Sequence, residues 1–170
     1  YAGEAIREVF RHRDAYLSND PEGNQGMLRA ANRAGCAINI TQTTAGHAMC
    51  YKLTTLYGLA HGHAAALCVE ALWPYMADHI KDCTDPRGET YLKEMFQALA
   101  EEMGCKDVTE AVKKYQSFWK ELKLMVPVLE KEDQMDLLTR SVNPDRLKNN
   151  PVRLTEKTLE TLYRQILKTD

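Results

Sequence analysis

Across the ten residues from Ala64 to Trp73, only Glu70 carries a charge. A helix that apolar has no face to offer water, so it must be the centre of whatever the chain folds into. Elsewhere apolar residues recur at steps of three and four, and sustained alternation is missing. The pattern predicts an all-α fold, a helical bundle around the 64–73 spine. Expected helices cover Tyr1 to Leu17, with Ile6, Val9, Phe10 and Leu17 inward, then Gly23 to Ile40, Thr44 to Tyr57 and Gly62 to His79. Asp85-Pro86-Arg87 opens another, which carries Tyr91, Met95, Leu99 and Met103 inward and stops at Gly104. The next runs from Asp107 to Leu122 with Val112, Tyr115, Trp119 and Leu122 inward, followed by Gln134 to Ser141. Thr155 caps a last helix that turns Leu159, Leu162, Tyr163 and Ile166 to the core. Residues 37–44 are rich in β-branched side chains and are read as a helix end and loop. Pro127 and the charges from Glu130 to Asp133 mark an exposed connection, and residues 143–151 are turn-rich.

Composition removes several function classes. At 170 residues the chain is one domain of ordinary size, and its 44% hydrophobic and 27% charged residues are a globular balance. Acidic and basic side chains, 24 against 22, nearly cancel, so no field recruits nucleic acid or anionic lipid. No apolar run reaches the roughly eighteen residues of a membrane span. Cys36, Cys50, Cys68, Cys83 and Cys105 form an odd set without Cys-x-x-Cys spacing, expected as reduced thiols of a cytoplasmic protein. No Gly-x-Gly-x-x-Gly loop follows a strand, and Gly23 and Gly26 are read as part of a polar turn, so dinucleotide binding by this chain unaided is not expected. Tyr1 to Phe10 is already in helical period without an initiator methionine or a cap, which is expected of a C-terminal piece of a longer protein.

Chemistry concentrates at two histidines fourteen residues apart, His47 and His61. On one unbroken helix they would lie roughly 21 Å apart, too far to share an ion. Gly58 is placed to end the first helix in the left-handed cap conformation. A rise of about 15 Å from His47 to Tyr57 is then largely recovered by about 13 Å of extended chain to His61. The two imidazoles are either half of a metal site or ordinary packed side chains. Thr43-Thr44 offers a hydroxyl cap just before His47, and Gly62 lets backbone approach closely beside His61. Residues two apart point about 200° apart on a helix, so His63 cannot face an ion held by His61. His63, His12 and His79 are read as structural or solvent-facing.

The stretches Ala37-Ile38-Asn39-Ile40-Thr41-Gln42-Thr43-Thr44-Ala45-Gly46-His47-Ala48-Met49 and Gly58-Leu59-Ala60-His61-Gly62-His63-Ala64 resemble the signature region of the iron-containing alcohol dehydrogenases. The tail from Asn143 to Val152 is similar to that family's end. The resemblance implies an all-helical C-terminal domain paired with an N-terminal domain for NAD(P), and a divalent metal held by one Asp and three His. His47 and His61 match the two signature histidines. The Asp and the third His would precede Tyr1, so weak or no ion binding is expected of this chain alone. Fe2+ is the implied metal, with Zn2+ as the alternative. Tyr51, one turn after His47, stands where many relatives carry a His of a proton relay. It is either a packed aromatic or a catalytic hydroxyl, and a phenol exchanges protons less readily than an imidazole near neutrality.

The implied substrate is a small alcohol or aldehyde. Wording around Asn39 to His47 and Tyr51 to Thr54 is similar to the subgroup that reduces phosphonoacetaldehyde, and Lys52, Arg33 or the helix start at Thr44 are candidate partners for a phosphonate. Two other readings compete: a zinc relative of the glycerol dehydrogenase or dehydroquinate synthase type, and a non-catalytic helical interaction domain. A homo-oligomer is compatible with either.

Overall fold

A computed structural model describes residues 1–168. Nine α-helices and one 3₁₀ turn are found among them, and the only β pairings are two isolated bridges. The helices are α1 (Ala2–Leu17), α2 (Pro21–Ile40), α3 (Ala45–Tyr57), α4 (His61–Asp78), α5 (Gly88–Glu102), α6 (Val108–Leu122), α7 (Glu132–Arg140), α8 (Pro144–Leu147) and α9 (Glu156–Ile166). Residues divide into two compact units, 1–42 with 95–111, and 43–94 with 112–170.

In the first unit α1 and α2 pack along one another. Asp20 accepts hydrogen bonds from the backbone N–H groups of Glu22 (2.9 Å) and Gly23 (3.1 Å), which starts α2 at Pro21, two residues earlier than expected. Gly23 and Gly26 are therefore not in a turn but on the buried face of α2. A Cβ at Gly26 would run into the His12 ring, so glycine sets how near the two helices come. His12 is structural: half-buried, with Nε2 3.2 Å from Glu8. Leu17, expected inward, is 59% exposed because α1 ends there and the chain reverses through Asn19 at φ 58°.

The expected inward stripe on α5 is displaced by one residue. Leu92, Phe96 and Ala100 are buried with Met103, while Met95 is exposed and Tyr91 and Leu99 are half-buried. Both stripes step by four, and periodicity alone does not separate adjacent faces of a helix rich in apolar residues. Gly104 ends the segment at φ 71°, as expected of a left-handed stop.

The second unit is built on α4. Ala64, Leu67, Cys68, Ala71, Leu72 and Trp73 are buried, and α4 packs against α3 and α9. From α3 come Met49, Cys50 and Leu53, and from α9 Leu159, Leu162, Tyr163 and Ile166, all buried in one cluster. Tyr163 also donates its hydroxyl proton to the Met49 carbonyl at 2.9 Å, tying α9 to the middle of α3. Burial pushes that hydroxyl's pKa far up, so it stays a donor. Tail residues are pinned by backbone bonds from Thr84 N–H to the Pro151 carbonyl and from Arg153 N–H to the Asp82 carbonyl, both 2.9 Å. That clamp carries α8, which touches α3.

Between α3 and α4 the chain turns at Gly58, in the left-handed region at φ 65°. A Cβ there would meet nothing within 4 Å, so the requirement is conformational and not one of space. Gly58→Ala is expected to cost about 1–2 kcal/mol, the penalty of a left-handed alanine, and Gly58→Asn clearly less. Chemical denaturation of both variants checks this, and an alanine variant as stable as the parent would contradict it.

Candidate functional site

Because α4 begins at His61, only Gly58, Leu59 and Ala60 separate the two histidine-bearing helices. The result is that the His47 and His61 rings lie 5.4 Å apart, centre to centre, at an interplanar angle of 58°. His47 is half-buried and His61 exposed. Thr44 occupies the cap position of α3 but makes no side-chain cap bond, contrary to expectation; its carbonyl instead accepts from His47 N–H at 3.1 Å. His63 faces elsewhere and stacks on Trp119 at 5.6 Å, while His79 stacks on Tyr75 at 4.0 Å with Nδ1 2.8 Å from the Tyr75 carbonyl.

Cys50 sits beneath the pair. Its thiol donates to the His47 carbonyl at 3.2 Å, and its sulfur lies 3.7 Å from His61 Nδ1. Burial raises the Cys50 pKa against the opposing pull of a backbone hydrogen bond and Arg146, so it remains a thiol near neutrality. With the S–H engaged by His47, the sulfur is left to accept Nδ1–H from His61. That tautomer puts the lone pair of His61 on Nε2. His47 is held below its ordinary pKa of 6.5, first by burial and then by the charges of His61 and Arg146. The lowered pKa of His47 suits the neutral imidazole, the form that binds metals.

Tyr51 lies one turn along α3, its ring 5.6 Å from His61. Its hydroxyl accepts from Arg146 Nη1 at 2.7 Å, and the guanidinium carbon stands 4.8 Å from the ring centre. Arg146 was not singled out in the sequence. Only the turn-rich character of residues 143–151 and their likeness to a family tail hinted at it, because its partner is 95 residues away. Of the cations that were singled out, Lys52 is half-buried on α3. Arg33, in the first unit, is held by Glu4 at 3.1 Å and lies 5.6 Å from the Tyr1 ring.

Two imidazoles bound about 2.1 Å from one tetrahedral ion have ring centres about 5.3 Å apart, so the observed spacing fits a shared ion. The donor set is short of a full shell: no group of three or more His, Cys, Asp or Glu suited to a metal is found among the described residues. Comparison with known proteins places this geometry in context. The profile of the Fe-containing alcohol dehydrogenase family, C-terminal, matches residues 2–167. The chain belongs to that family.

Among curated relatives, a phosphonoacetaldehyde reductase of Streptomyces viridochromogenes is 33% identical over 144 residues, covering 84% of this chain and 36% of that protein. A sulfoacetaldehyde reductase from Bifidobacterium kashiwanohense, solved in complex with NAD+, is 27% identical with a TM-score of 0.79, covering 99% of this chain and 43% of that one. An iron-containing alcohol dehydrogenase from Thermococcus thioreducens, 18% identical, shares the fold with a TM-score of 0.81 over 96% of this chain and 42% of its own. The chain thus spans well under half the length of these family members. As expected from the sequence, the fold is the family's all-helical C-terminal domain. No helix among the described residues is long and apolar enough to cross a membrane.

Between the lowered native pKa of His47 and its ordinary 6.5, the unfolded chain binds a proton that the folded chain does not. Stability is therefore expected to fall as pH drops below about 6.5, and to level off once the native pKa has been passed. Thermal melts of metal-free protein from pH 7.5 downward check this. His47→Gln should flatten that part of the profile, and a variant with the parent's slope would assign the effect to another group.

Proposed function

We propose that this chain is the metal-holding half of an NAD(P)-linked aldehyde reductase, or alcohol dehydrogenase, acting on a small substrate. The observation that carries the reading is the convergence of His47 and His61 across the Gly58 turn in a member of this family. His47 and His61 hold two positions on a divalent ion, Fe2+ in preference to Zn2+. Residues outside the described ones supply the remaining ligands, since four are needed for a tetrahedral site. A separate nicotinamide-binding domain supplies the NAD(P) site. When bound, the ion supplies Lewis acidity toward the carbonyl oxygen and the nicotinamide supplies hydride.

The chain's own residues then have defined tasks. Cys50 keeps the His61 Nε2 lone pair free by accepting from Nδ1–H, and burial keeps His47 unprotonated. Tyr51 is the proton-handling candidate: its oxygen accepts from Arg146, so its own O–H remains available to a substrate oxygen. Relatives that reduce phosphonoacetaldehyde and sulfoacetaldehyde support an aldehyde as substrate, with phosphonoacetaldehyde the first to test.

Two measurements on the full-length protein test this reading. His47→Ala and His61→Ala are each expected to lower aldehyde reduction by on the order of 1,000-fold, the loss that follows when several kcal/mol of charge stabilisation disappear. Retained turnover in either variant would leave the non-catalytic reading standing, and metal analysis of the active protein decides between iron and zinc. Cys50→Ala is expected to weaken metal affinity about 10-fold while both ligand side chains remain in place, with competition against a chelator as the readout. Unchanged affinity would remove Cys50 from the orienting role.

A further inference from the structure

Arg146 differs from most of its fellow arginines. Arg87 is bonded to Asp85, Arg164 to Glu132 and Glu160, and Arg33 to Glu4. Arg146 is exposed and has no carboxylate partner among the described residues; its side chain bonds the Tyr51 hydroxyl instead. One N–H of its fork is used there, at 2.7 Å, out of the five a guanidinium carries. The Tyr51 ring under the guanidinium, 4.8 Å from centre to carbon, fixes where the remaining donors lie. The Tyr51 ring stands in turn 5.6 Å from the His61 ring, so guanidinium, phenol and imidazole follow one another along one side of the histidine pair.

Arg146 thus presents an exposed positive charge with unused N–H donors on the Tyr51 side of the two histidines, an arrangement suited to receiving an anion. We propose that Arg146 is a specificity-determining residue, which receives a tetrahedral oxyanion carried by the aldehyde substrate, with Tyr51 as the platform that holds its fork in place. The proposal rests on the aldehyde-reductase reading and narrows it to substrates bearing a phosphonate or sulfonate near the carbonyl. A planar fork with several N–H donors matches two oxygens of either group at once. The sequence points to Lys52, Arg33 or the helix start at Thr44 for this task. Arg33 is already neutralised by Glu4, and a lysine offers a point charge without the fork.

The test compares kcat/KM of the full-length enzyme for phosphonoacetaldehyde, sulfoacetaldehyde and uncharged propionaldehyde. Arg146→Ala is expected to lower the preference for each anionic aldehyde over propionaldehyde by about 10- to 100-fold, the loss typical of charge-assisted hydrogen bonds. Arg146→Lys, which keeps the charge and loses the fork, should recover part of it, and the two anionic substrates show which oxyanion fits better. A preference unchanged within about twofold in Arg146→Ala overturns the proposal, as does an equal loss for all three aldehydes. Should the unmodified protein reduce no aldehyde, the reductase reading fails by itself, and calorimetric titration with methylphosphonate then decides the role of Arg146. Binding abolished in Arg146→Ala supports it, and binding retained in that variant overturns it.

Discussion

Burial of the α4 face made by Ala64, Leu67, Cys68, Ala71 and Leu72, with the other sides of the helix half-buried, is the constraint from which the rest of the second unit follows. The apolar side chains of that face demand neighbours, and α3 and α9 supply them through Met49, Cys50, Leu53, Leu162 and Tyr163. Once α3 lies against α4, the short link through Gly58 places the start of α4 beside the first turn of α3. That places His61 opposite His47. The site is thus a by-product of packing: two helices joined by three residues, with a histidine at the facing end of each. The Tyr163 hydroxyl on the Met49 carbonyl adds a directional tie between His47 and Tyr51, where a shift of α3 would be felt first.

Much of this was legible from the residues, for a reason that is physical. Helix ends were marked by groups acting locally: Thr155 by its side-chain acceptor, Gly58 and Gly104 by positive φ, whereas the Asp20 cap reads as a turn in sequence and α2 starts two residues earlier than expected. Helix faces were less secure. On α5 two stripes one residue apart are both apolar, and it is Leu92 and Phe96, not Tyr91 and Met95, that are buried. Gly23 and Gly26 misled as turn residues because a glycine admitting a close helix contact looks, in sequence, like a glycine making a turn. Leu17 misled because the helix ended at the last apolar step.

The site divides along the same line. His47, Tyr51 and His61 belong to one helix–turn–helix, so spacing alone was enough to bring them together. Arg146 and the orienting sulfur of Cys50 were not visible. Cys50 falls among apolar residues and looks like core, which it also is, at 0% exposure. Arg146 reaches Tyr51 only because the tail is clamped by the backbone bonds of Thr84 and Arg153, a long-range arrangement that no local pattern encodes.

The pairing of Tyr51 with Arg146 bears on the departure at position 51, where the family resemblance implies a histidine in many relatives. An imidazole drawn into proton exchange is cationic for part of its cycle, and a guanidinium within hydrogen-bond distance would oppose that state. A phenol has no cationic form, and its oxygen accepts from the arginine directly. Tyrosine therefore never opposes the arginine with a cationic form, whereas a histidine would do so whenever it was protonated. The exchange gives up an efficient proton carrier and gains a fixed positive charge next to the histidines.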